Sequence, residues 1–157
     1  MNVRILMACA VLLSACASGG SGKEADRKTA AAAVASSTEA LPSQTLAPGD
    51  CGLFLWTRDE PRRFMLFYPA GAGTAKAIVN GRQTELSVES QGGDVFEQFM
   101  TQMGFQSADG IPVSLSLQPG ELIQGGRRVP SAQMISQDRE GWQIITPLAG
   151  LTACQPE

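Results

Sequence analysis

Short runs of apolar residues, cut by glycine, proline and asparagine, fill the chain beyond Gly49. Most follow a period of two, the repeat of a strand with one buried face. In Ile111–Leu117, Val113, Leu115 and Leu117 share one side, with Pro112, Ser114 and Ser116 on the other. Cys51-Gly52-Leu53-Phe54-Leu55-Trp56 and Phe64-Met65-Leu66-Phe67-Tyr68 are denser runs, the second ended by Pro69 and a Gly71-Ala72-Gly73 turn. Ala75–Val79 and Arg82–Val88 flank Asn80-Gly81. That pair predicts a tight hairpin, because both central residues of a type I′ turn need positive φ. Pro119-Gly120 turns the chain again, and residues 132–136 and 142–145 read as closing strands around Arg139-Glu140-Gly141.

One stretch breaks the pattern. From Asp94 to Met103, the residues Val95, Phe96, Phe99, Met100 and Met103 fall at helical spacing, with Gly92-Gly93 before them and Gly104 after. This predicts a short helix near 94–103; the alternative is an irregular strand carrying Phe96 and Phe99 inward. The whole predicts a mainly β fold, an antiparallel barrel or sandwich of about seven to eight strands.

The composition shifts at Gly49. All nine aromatic residues lie beyond it, whereas Ala17 to Pro48 is mostly Ala, Ser, Gly, Thr and Gln. Too little apolar surface is available there to offset the entropy of ordering, so residues 16–48 are expected to form a disordered tether. Its root-mean-square reach is on the order of 30 Å. Residues 49–157 suffice for one domain with one core. Gly104-Phe105 and Gly150-Leu151 are candidates for exposed apolar loop residues, because of their flanking glycines.

The N-terminus carries Arg4, then an apolar run from Ile5 to Leu13 that is too short for a membrane-spanning helix, which needs about 20 residues. It closes on Leu13-Ser14-Ala15-Cys16. These residues resemble the lipobox of bacterial lipoprotein signal peptides. An ordinary secretory signal also ends in small residues, but the register of Leu, Ser, Ala and Cys fits the lipobox. The resemblance implies that residues 1–15 are removed as a signal peptide by cleavage between Ala15 and Cys16. It also implies a lipidated Cys16, carrying diacylglycerol and a further acyl chain such as palmitate, which anchors the chain to a bilayer. Ala17 and Ser18, in place of an aspartate after the cysteine, point by the same resemblance to the periplasmic face of the outer membrane.

With Cys9 discarded and Cys16 acylated, Cys51 and Cys154 remain. An even count in an exported chain reads as a disulfide, here between the two ends of the domain.

Catalytic chemistry is hard to find. The chain has no histidine, which removes Ser-His-Asp and Cys-His catalysis and the usual zinc ligand set. No phosphate-binding glycine motif precedes a helix, and no metal site or cofactor is expected. Asp59-Glu60 and Asp138-Arg139-Glu140 read as solvated turns. The arginine doublets Arg62-Arg63 and Arg127-Arg128 are candidate contacts for an anionic ligand, such as a lipopolysaccharide phosphate or a peptidoglycan carboxylate; otherwise they are solvated strand ends. Residues 49–157 hold eight Arg and Lys against twelve Asp and Glu. That balance argues against a nucleic-acid partner, which demands a positive field.

In broad plan the chain is similar to small lipoproteins in which a tethered β-barrel has its ends joined by a disulfide, among them membrane-bound inhibitors of c-type lysozyme. It departs from their pattern in its loops. Gly125-Gly126-Arg127-Arg128 is not their serine- and glycine-rich loop, and Lys76, the one lysine of the domain, lies in a predicted strand. Residues 51–56 and the ending Ala149-Gly150-Leu151-Thr152-Ala153-Cys154 also resemble uncharacterised alphaproteobacterial lipoproteins. The expectation is a non-enzymatic binding or accessory module of the envelope, with a protein or glycan partner. The alternatives are an inhibitor of a lysozyme-like muramidase and a small hydrolase of envelope glycans.

Overall fold

The computed structural model describes residues 39–157. The predicted signal peptide, Cys16 and the tether as far as residue 38 lie outside the described residues.

Nine strands follow in order: β1 (Cys51–Thr57), β2 (Phe64–Pro69), β3 (Thr74–Val79), β4 (Arg82–Phe96), β5 (Phe99–Ser107), β6 (Pro112–Gln118), β7 (Leu122–Ile123), β8 (Gly126–Gln137) and β9 (Gln143–Cys154). Eight of them form a closed antiparallel barrel, each beside its neighbour in sequence, with β6 paired to β8 and β1 paired to β9. The two-residue β7 is an extra strand on β8, inside the β6–β8 connection. The mainly β expectation holds, and the barrel is the form it takes. Asn80 and Gly81 make the predicted hairpin turn, with φ of 51° and 72°.

Alternation decides what fills the barrel. Leu53 and Leu55 of β1 face Tyr68 and Leu66 of β2 across the ladder. Round the wall, Ala77, Leu86, Phe105, Val113, Leu115, Met134 and Leu148 are likewise buried, all in one hydrophobic cluster. Each large apolar side chain so buried contributes about 1.5–3 kcal/mol. An eight-stranded barrel has an interior just wide enough for side chains, and here they occupy it.

The expected helix near 94–103 is not formed. These residues are the end of β4, a turn at Glu97-Gln98 and the start of β5. Phe96 and Phe99 pair across that turn and both are buried, as the strand alternative required. Register shifts between Val88 and Ser90 and between Gly92 and Val95 disturb the two-residue repeat, so apolar residues on two strands imitate one helical face. Gly93, at φ 76°, is also outside the helical region. Val95 consequently points to solvent, 71% exposed. Phe105 is buried rather than exposed in a loop, because it stands in β5 on the inward row with Met103 and Ser107.

The expected tether does not run free as far as Pro48. Leu41 is buried, and its amide donates to the Phe64 carbonyl at 2.7 Å. Leu46 lies over Gly52, where the rings of Phe54 and Phe67 also converge. Lys76 Nζ donates to Gln44 Oε1 at 2.9 Å. Residues 41–46 therefore form a strap on the outside of β1, β2 and β3. The two leucines, set among polar residues, supply its apolar contacts.

Cys51 and Cys154 stand opposite each other in the β1–β9 register and are joined by a disulfide. It closes a loop with a sequence separation of 103. Replacing both cysteines with alanine is expected to lower stability by about 4.7 kcal/mol, the chain-entropy value for a loop of this length. Urea unfolding measures it, and equal midpoints with and without reductant would contradict it. Leu41→Ala is expected to cost about 2 kcal/mol, and a chain begun at Gly49 should melt below one begun at Glu39. Identical melting would show that the strap adds nothing.

Candidate ligand groove on the outer wall

The outward faces of β1, β9 and β8 carry two rows of side chains. Phe54, Leu151 and Arg128 are register partners in one row. Trp56 and Ala149 begin the next, which ends at a bulge on β8. Val129 pairs with Gly150 and Ala132 with Leu148, so Pro130 and Ser131 together oppose Ala149. Proline has no N–H to give the ladder, and a bulge is where an interior strand tolerates it. A second register shift, between Leu55 and Trp56, lies on the β2 side of Trp56. The row from Trp56 to Pro130 is thus flanked by irregularities that open the wall.

The result is a groove of about 730 Å³. Ala149, Gly150 and Leu151 floor it; Trp56, Thr57, Arg58 and Arg62 bound one side, and Arg128, Val129 and Pro130 the other. Gly150 is required by close approach: a Cβ there would overlap the Phe54 carbonyl oxygen. Trp56 is half-buried, its ring stacked on Phe64 with centroids 5.0 Å apart. Phe64 and Phe67 lie 6.1 and 4.9 Å from Phe54. This aromatic cluster supports Trp56 from the side away from β9.

Three of the eight cationic side chains beyond Gly49 line the groove, and among the described residues no carboxylate lines it. Arg62 meets Glu60 at 3.4 Å and Arg128 meets Glu121 at 2.8 Å. All four of these side chains are exposed, so each pair contributes only about 0–1 kcal/mol and yields readily to a ligand. Among the described residues no carboxylate forms an ion pair with Arg58.

Each predicted arginine doublet divides. Arg62 and Arg128 enter the groove; Arg63 and Arg127 do not. Arg63 lies 4.0 Å from Asp59, and its amide donates to Thr57 Oγ1. Arg127 turns towards the barrel mouth, where Nη1 donates to the Gly120 carbonyl at 3.1 Å and Nε lies 3.9 Å from Glu97. The Thr152 hydroxyl donates to Glu97 and accepts from the Arg127 amide. Glu97 sits at φ 54° in the β4–β5 turn, and Gln98 beside it reaches Cys51 Sγ at 3.2 Å. The turn is tied down over the disulfide end of the barrel, which gives Arg127 and Glu97 a structural task.

The other predicted carboxylates are in turns. Asp59 and Glu60 are exposed, and Asp138 accepts from the amides of Glu140 and Trp142 at 3.0 and 2.8 Å. The turn of the β8–β9 hairpin is charged through Asp138, Arg139 and Glu140, and beside it Trp142 is 74% and Ile145, within β9, 53% exposed.

Sequence reasoning did not find Trp56, Arg58 and Pro130 as groove residues. A proline interior to an alternating run was the available signal, since it demands a bulge. Comparison of the chain with protein families, curated proteins and solved structures finds no match.

Gly150→Ala is expected to push β1 from β9 and cost about 1–3 kcal/mol, the usual range for overpacking. Thermal unfolding measures it; an unchanged melting temperature would mean that the floor is not held by this close approach.

Proposed function

We propose that this protein is a lipid-tethered, non-enzymatic binding module of a bacterial envelope, held at the outer membrane and facing the periplasm. It binds through the outer wall of its barrel. The observation that carries the reading is the contrast between inside and outside. The interior is packed with side chains, while the β1–β9–β8 wall presents a groove with one tryptophan and three arginines. Aromatic and guanidinium groups together are the usual anchors of recognition surfaces, and this pair of chemistries selects an anion. The Leu13–Cys16 sequence supports the tether, and the disulfide supports an oxidising compartment.

Inhibition of a lysozyme-like muramidase is the second reading. It is favoured by the β8–β9 hairpin, which runs on past the last β1–β9 pair and exposes Trp142 beside its charged turn and Ile145 on β9. Such a projection suits insertion into a cleft.

Photo-crosslinking in cells tests both, with the full chain carrying the reactive residue at Pro130, at Gln143, or at Gln83 on β4, four strands round the barrel from β9. Labelling of envelope material from Pro130 and not from Gln83 is the expected result. Equal labelling would remove the groove from the reading, and capture of a muramidase from Gln143 would favour the inhibitor. In the same cells Cys16→Ser should move the chain from the membrane fraction to the soluble one.

A further inference from the structure

We infer that the ligand of the groove is an acidic sugar, one ring of which lies between Trp56 and Pro130 while its acid groups meet the arginines. This deepens the reading of the groove as an anion-binding surface and rests on it.

The spacing comes first. Neighbouring strands lie about 4.8 Å apart, so Trp56 on β1 and Pro130 on β8, separated by β9, stand about 10 Å apart at the backbone. Carbon atoms in contact sit about 3.5–4 Å apart, so one saturated ring fits between the two residues, over Ala149 and Gly150. The floor beneath is low because these are the smallest side chains. The negative face of an indole attracts the polarised C–H groups of a sugar ring. Proline offers an apolar face on the other side.

Charge fixes the second half. Arg58 and Arg62 follow β1 on one side of the floor, and Arg128 stands on the other. Guanidinium groups bind carboxylate or phosphate with paired hydrogen bonds. A ring with an acid group at either edge meets a cation in both directions.

The same floor disfavours the other polyanions. An acidic peptide that binds by strand addition needs a free sheet edge. Here β9 is paired to β1 and β8 on both sides beside the groove, which leaves no edge. Single-stranded nucleic acid needs a positive track and a series of stacking rings. The domain has four more acidic than basic side chains, and one ring, that of Trp56, lines the groove.

The test uses the chain from Glu39 to Glu157 with Trp142→Phe, so that Trp56 is the sole tryptophan and reports binding by its fluorescence. Trp142 is exposed, and its replacement leaves the core intact. The probes are a galacturonic acid tetramer, glucosamine 1-phosphate, a neutral glucose tetramer, a glutamate octamer and an octamer of deoxythymidylate. An acidic sugar should shift Trp56 emission and bind at least about ten-fold more tightly than the neutral tetramer, since one charge-assisted hydrogen bond is worth about that much. A response to the uronate or to the sugar phosphate supports the inference, and the difference between them identifies the acid. Arg62→Gln with Arg128→Gln should lose about ten-fold or more. Trp56→Leu should lose binding, followed by calorimetry, while Trp56→Phe retains part of it. Equal binding of the glutamate octamer or the oligonucleotide would overturn the sugar and leave an anion site. Binding of none of the four anions would overturn both readings.

Discussion

The ladder between the first strand and the last holds this molecule together. Seven consecutive pairs, from Cys51 with Cys154 to Thr57 with Leu148, join β1 to β9. Their register decides which residues are inside. A slip by one would turn Leu53 and Leu55 to solvent and drive Phe54 and Trp56 into the core, because successive strand residues face opposite ways. The disulfide forms in one register alone, so it pins the alternation as well as the chain ends. The same ladder places Trp56 beside Ala149 and makes the floor of the groove. Stability and the shape of the groove therefore depend on one alignment.

Much of the barrel was legible in the chain. Alternation in 111–117, the Asn80-Gly81 turn and two cysteines at the domain ends each rest on local chemistry that tertiary packing did not override. The helix expected near 94–103 failed because bulges shift the two-residue repeat, and a bulged hairpin then shows apolar residues three and four apart. The strap was missed for the opposite reason. Leu41 and Leu46 are two apolar residues in a polar setting, and what buries them is the outside of β1 to β3.

The groove was half legible. The arginine doublets were seen, yet strand geometry divides Arg127 from Arg128: neighbours on a strand point to opposite faces. One arginine goes to the mouth and Glu97, the other to the groove. Arg58 was hidden because no pattern in the sequence says that the loop after β1 folds over the wall. The groove is also a local reversal of the domain's overall sign. Its field acts within a Debye length of about 8 Å, so it would attract an anion at close range and not steer one from afar.

Joining the first strand to the last has a consequence in time. Every other wall contact of the barrel forms between strands that are neighbours in sequence, but β1 has no partner on one side until β9 has been made. Contacts so distant along the chain form slowly. For that interval β1 presents an unpaired edge bearing Leu53, Phe54, Leu55 and Trp56, the kind of edge that recruits foreign strands. A chain made from its N-terminus therefore spends its most vulnerable moments with the future groove wall as its stickiest surface, until the last residues follow and cover that edge.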